Sequence, residues 1–147
     1  MIGGQQAIGS RQSAVSEHKT PINSYRDLVV WQEAMNLAEA TYRLTTRFPK
    51  EEAYGLTGQL RRSGSSVPAN IAEGYGRDSR GAYVQHLRIA QGSLKEFETH
   101  LLLAERVELL DQVVLVPLLS KAELVGKMLR SLIRSIESSK KPGGSSQ

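Results

Sequence analysis

The chain has no cysteine, which excludes a disulfide scaffold, a thiolate zinc site and a cysteine nucleophile. It is poor in aromatic residues, at 5%. No apolar run approaches the ~18 residues that a membrane span needs, so no membrane role is expected. The opening residues 1–12 lack the apolar stretch of a secretory signal, and a cytoplasmic location is the expectation. Excess charge is scarce as well, despite a pI of 9.5 and a net charge of +4. Residues 24–139 hold 15 basic side chains against 14 acidic ones, a net of +1. The other +3 comes from Arg11, Lys19, Lys140 and Lys141 against Glu17. A near-neutral body carries less of a nucleic-acid signal than the total suggests.

What is present is a helical period. The 147 residues suffice for one domain with a real core. Residues 1–23 and 140–147, rich in Gly, Ser and Gln, are expected to be flexible tails around a domain at 24–139. A first helix is expected from Ser24, with Asp27 as its capping-box partner. Its seam would be Leu28, Trp31, Met35, Ala38 and Tyr42, widened by Leu37, Leu44 and Phe48, and Pro49 would end it. A second helix opens near Glu51 or Glu52 and carries Leu56, Leu60, Gly64, Val67 and Ile71 on one face. That phase passes through Pro68, which predicts one kinked helix stopped at Gly74-Tyr75-Gly76. A third, capped by Asp78 or Ser79, has the seam Tyr83, Leu87, Ala90, Leu94, Phe97, Leu101 and Ala104. A fourth, after a break at 109–112, has Leu118, Ala122, Val125, Leu129, Leu132 and Ile136. Short connections predict an all-α, antiparallel up-down-up-down four-helix bundle.

The chemistry such a bundle could host finds no support. A di-iron site needs Glu-x-x-His pairs, but the residues three before His18, His86 and His100 are Val15, Tyr83 and Phe97. His86 and His100 read as partly exposed helix-surface residues. There is no phosphate-binding P-loop, no dinucleotide fingerprint and no recognisable hydrolase triad. Met35 and Met128 read as packing residues. No cofactor, no metal and no catalytic residue is expected.

One segment is not explained by packing. Arg62, Ser66, Asn70, Glu73 and Arg77 form a polar stripe about 90° from the apolar face of the second helix. Serine, asparagine and glycine are poor helix formers, so propensity does not account for them. Three readings stand side by side: a solvated flank with i,i+4 ion pairs, a polar contact between subunits, and a nucleic-acid surface. Residues 61–88 carry five arginines against Glu73 and Asp78, whereas residues 89–111 carry Lys95 and Arg106 against five acids. Such opposed patches suit head-to-tail self-association.

The string Ser66-Val67-Pro68-Ala69-Asn70-Ile71-Ala72-Glu73-Gly74-Tyr75-Gly76-Arg77 resembles that of the four-helix bundle proteins encoded in 23S rRNA intervening sequences. So do Leu28-Val29-Val30-Trp31-Gln32-Glu33-Ala34, Phe48-Pro49, residues 54–62 and residues 89–96, in the same order. The resemblance spans residues 24–136 and implies a bundle that assembles into a ring-like homopentamer. A more distant likeness, to the accessory variability determinant of diversity-generating retroelements, brings in a reverse transcriptase as a conceivable partner. The expected function is therefore a non-enzymatic homo-oligomeric adaptor for rRNA, other nucleic acid, or an RNA-handling protein. Arg61, Arg62, Arg77 and Arg80 are the expected phosphate contacts. Ser66, Pro68, Asn70, Glu73 and Gly74 are expected to shape the helix, its turn and a subunit contact. The rival expectation is a protein scaffold with no nucleic-acid role, in which the polar stripe is a subunit interface.

Overall fold

The computed structural model describes residues 21–145, with side chains to residue 139. Four helices make up the bundle: α1 (Val29–Thr45), α2 (Leu56–Tyr75), α3 (Arg80–Arg106) and α4 (Gln112–Ser145). No strand occurs among the described residues. The expected tail 1–23 lies outside the described residues except at 21–23; at the other end the backbone of α4 continues to Ser145.

Ser24 and Asp27 do form a capping box. The Ser24 Oγ accepts from the Arg26 amide at 3.1 Å, and the Asp27 carboxylate accepts from the Ser24 amide at 3.1 Å. The box caps only a single 3-10 turn, Tyr25–Asp27, after which Leu28 is extended and α1 begins at Val29. A second 3-10 turn, Lys50–Glu52, stands where the second helix was expected to open, and α2 itself starts at Leu56. Pro68 sits inside α2, which continues on either side of it. Its ring removes the amide that would have met the Gly64 carbonyl. Ser79 caps α3 by accepting from the Ala82 amide at 3.1 Å. Glu108, at φ 68°, turns the chain out of α3, with the Leu109 amide reaching back to the Ala104 carbonyl at 2.9 Å. That is a Schellman closure made without the glycine that usually marks one.

The faces of α2, α3 and α4 pack as their periods predict. Leu60, Val67, Ile71, Leu87, Ala90, Phe97, Leu101, Ala104, Ala122 and Leu129 are fully buried. On α4 the buried position near the end is Ile133, with Leu132 and Ile136 only partly covered. The face of α1 matches its expected seam only in part: Leu37, Ala38, Leu44 and, just beyond the helix, Phe48 are buried as expected. Val30, Ala34, Leu37, Thr41 and Leu44 face the core, whereas Met35 and Tyr42 are more than two-fifths exposed. The helix carries two apolar stripes about 100° apart, and only one can point inward. Small Ala34 and Thr41 admit close neighbours, and Thr41 satisfies its buried hydroxyl by donating to the Leu37 carbonyl at 2.8 Å. The bulkier stripe, Trp31, Met35, Ala38 and Tyr42, instead lines a groove of about 530 Å³ with Tyr25, Pro68 and Ala72.

Candidate nucleic-acid interface

Of the polar stripe of α2, Ser66 and Asn70 face α3, while Arg62, Glu73 and Arg77 are exposed. Asn70 Nδ2 donates to the Ser66 carbonyl at 2.9 Å and to Ser66 Oγ at 3.1 Å. The Ser66 and Ser93 hydroxyls bond each other across the helices at 2.9 Å. With Nδ2 so occupied, Asn70 Oδ1 is left to accept, and His86 Nδ1 meets it at 3.3 Å. This assigns the proton of a neutral His86 to Nδ1. His86 is only 16% exposed, and the Glu73 carboxylate lies 4.0 Å from the same nitrogen. Glu73 in turn holds Arg77 at 2.8 Å. A chain of polar contacts thus runs from Ser93 through Ser66, Asn70, His86 and Glu73 to Arg77. The sequence pointed to the α2 members of this chain and missed Ser93 and His86, because nothing in one helix's period reveals the register of its neighbour.

Gly74 explains how α2 and α3 come so close. A Cβ built there would stand 2.8 Å from the His86 Cβ and 3.2 Å from the Tyr83 carbonyl oxygen. Beside it Tyr75 and Tyr83 meet edge to face, with ring centroids 6.1 Å apart. Burial, and secondarily the neighbouring Tyr75 hydroxyl, push the Tyr83 phenol up from the usual 10.0 to about 12. The unfolded chain therefore loses this proton at lower pH than the folded one. The stabilisation is complete below pH 10.0 and is lost as pH rises toward about 12. An ultraviolet difference titration of the native protein should show Tyr83 ionising late, and Tyr83→Phe should remove that late phase.

The four candidate arginines are placed differently. Arg61 is engaged within the fold: Nε donates to Thr45 Oγ1 at 2.8 Å, Nη2 donates to the Tyr42 carbonyl at 3.3 Å, and the guanidinium lies 4.5 Å above the Tyr42 ring. It serves the carbonyl end of α1, where a cation is favoured. Arg62, Arg77 and Arg80 are exposed. Among the described residues, the Arg62 side chain is tethered only to Gln59, at 3.2 Å, and that of Arg77 only to Glu73. Among the described residues no three His, Asp or Glu side chains gather as a metal site, and no helix is long and apolar enough to cross a membrane.

A family profile described as 23S rRNA-intervening sequence protein matches residues 26–131. The chain belongs to this family. The match takes in α1, α2 and α3 and most of α4, and with them the whole Ser66–Arg77 segment of the 23S rRNA-intervening sequence protein. A solved structure from Bacteroides thetaiotaomicron, a protein of unknown function from the S23 ribosomal protein family, is similar in fold. It is 27% identical, with a TM-score of 0.68 over 72% of this chain and 96% of that one. No curated protein matches.

Proposed function

We propose that this member of the 23S rRNA-intervening sequence protein family is a non-enzymatic, homo-oligomeric (pentameric) adaptor that binds structured RNA through basic residues bordering α2. The observation that carries this reading is the set of exposed side chains of Arg62, Arg77 and Arg80 on and around the Ser66–Arg77 segment, within the family match. Arginine engages phosphate with two donors at once, and among the described residues Arg62 and Arg77 each make a single exposed side-chain contact that a phosphate can displace. Ser66, Asn70 and Gly74 have the supporting role of setting α2 against α3. Pro68 faces the apolar groove shared with α1, and that open groove supports self-assembly.

The second reading is a protein scaffold without a nucleic-acid role. The same groove favours it, since Trp31, Met35 and Tyr42 leave apolar surface uncovered. A salt titration of RNA binding separates the two. Phosphate contacts require log affinity to fall linearly with log salt, with a slope approaching one per arginine engaged. Replacing Arg62, Arg77 and Arg80 together by glutamine should flatten that slope by about three. Purified oligomer with no salt-sensitive affinity for structured RNA would leave the scaffold reading standing alone.

A further inference from the structure

A second group of arginines gathers from two helices whose residues are remote in sequence. Arg88 and Gln91 of α3 and Arg130 and Arg134 of α4 line one groove of about 350 Å³. Ile133, only 4% exposed, is apolar and closes the inner side of this groove. A smaller depression of about 120 Å³ adjoins it, lined by Arg80, Val84, Gln85 and Ile136. Glu137 borders both, so the two form one track between α3 and α4.

The charge of this track is one-sided. Four arginines face a single carboxylate, and Glu137 is already bound by Arg88 at 3.2 Å. Arg130 and Arg134 pair with no carboxylate among the described residues. They stand one turn apart on α4, about 6 Å along its axis, while Arg80 and Arg88 stand about 12 Å apart on α3. Cations supplied from both walls at repeated intervals suit a ligand whose negative charge also repeats. A single small anion would leave most of them unused.

Resting on the RNA-binding reading above, we infer that the α3–α4 track, through Arg88, Arg130 and Arg134 with Arg80 at its end, is the seat of a phosphodiester strand. Arg80, at the first residue of α3, lines the smaller depression and is also one of the arginines of the proposed function, so the two sets share a member. The track contains no aromatic side chain. Stacking on bases is therefore absent, and recognition is of the backbone, with little dependence on sequence.

The test is fluorescence anisotropy of the full chain with a labelled RNA hairpin, and with a DNA hairpin of the same sequence, across a salt series. Arg130→Gln/Arg134→Gln is compared with Arg62→Gln/Arg77→Gln, with helical content and oligomer size checked for each. The first pair should lower RNA affinity at least ~10-fold and reduce the salt slope by about two. Equal losses on RNA and DNA would support a phosphate-only track. Unchanged affinity in Arg130→Gln/Arg134→Gln, with loss only in Arg62→Gln/Arg77→Gln, overturns the track and leaves the proposed function intact. A change in oligomer size without a change in affinity also overturns it, because the track is then a contact between copies. Wild-type protein with no salt-sensitive binding overturns both.

Discussion

Phe97→Ala should lower the free energy of unfolding by about 3–5 kcal/mol, among the largest losses for a single substitution in this chain. Phe97 is completely buried and belongs to the α3 seam. Its ring lies over Gly64 of α2, 3.4 Å from where a Cβ there would be, and Thr41 of α1 borders the same point. Three helices therefore share the volume that the ring fills. Gly64 has no side chain to move into the gap, and the hydroxyl of Thr41 is committed to its own helix. The cavity can close only by shifting helices, so the loss should fall toward the upper part of the range. Denaturant unfolding at fixed protein concentration reads this as a lower midpoint with an unchanged slope. The same geometry predicts a coupling. A Cβ at Gly64 meets the wild-type ring at ordinary contact distance but fills part of the hole in Phe97→Ala, so Gly64→Ala should stabilise the Phe97→Ala background more than it does wild type. A loss below ~1 kcal/mol for Phe97→Ala would mean that the three helices do not meet around this ring.

The second large effect is expected at Gly74, where two principles oppose each other. Helix propensity alone favours alanine there by about 1 kcal/mol. Packing disfavours it, since the new Cβ would stand 2.8 Å from the His86 Cβ, 3.1 Å from the Tyr83 ring and 3.2 Å from the Tyr83 carbonyl oxygen. A Cβ and a backbone oxygen cannot rotate away, so α2 and α3 must separate. Overpacking of this kind costs roughly 1–3 kcal/mol, and separation would also lengthen the Asn70–His86 bond. Packing wins: Gly74→Ala should be destabilising by about 2 kcal/mol net. Gly81→Ala and Gly92→Ala are the controls, because a Cβ at either position meets nothing within 4 Å. Both should instead stabilise by up to about 1 kcal/mol. If thermal or denaturant unfolding places all three alanine variants on the same side of wild type, close approach at Gly74 is not what that glycine provides.

These effects mark where sequence pattern was informative and where it was not. The seam of α3 and the face of α2 follow from apolar spacing, because each of those helices has one apolar stripe and therefore one way to face inward. The face of α1 follows only in part: Leu37 and Leu44 are core as expected, but Trp31, Met35 and Tyr42 make a second stripe more conspicuous than the one containing Ala34 and Thr41. Counting large apolar residues selects the groove wall, whereas packing selects the stripe with small residues. The end of α3 was obscured for a local reason: Glu108 takes a positive φ that is normally the mark of glycine.

The candidate site divides in the same way. Ser66, Asn70, Glu73 and Gly74 stand out in the sequence because poor helix formers recur at helical spacing. Their partners Ser93 and His86 do not stand out, because the register between two helices is set by side-chain volumes along the whole contact. Arg61 looks equivalent to Arg62 until the end of α1 is placed beside it. Arg130 and Arg134 share a helix face by their spacing alone, but Arg88 lies more than forty residues away in the chain, and only packing brings it to them.

By itself, then, the amino-acid sequence determined that this chain is a helical bundle of the 23S rRNA-intervening sequence family. Periodicity and motif order are properties of the chain, and each can be read without knowing what lies opposite. Tertiary structure decided which of two apolar stripes on α1 is core, which arginines remain available, and that α3 and α4 together form a basic track. Those outcomes depend on distances between residues remote in sequence, which close packing sets and local pattern does not encode.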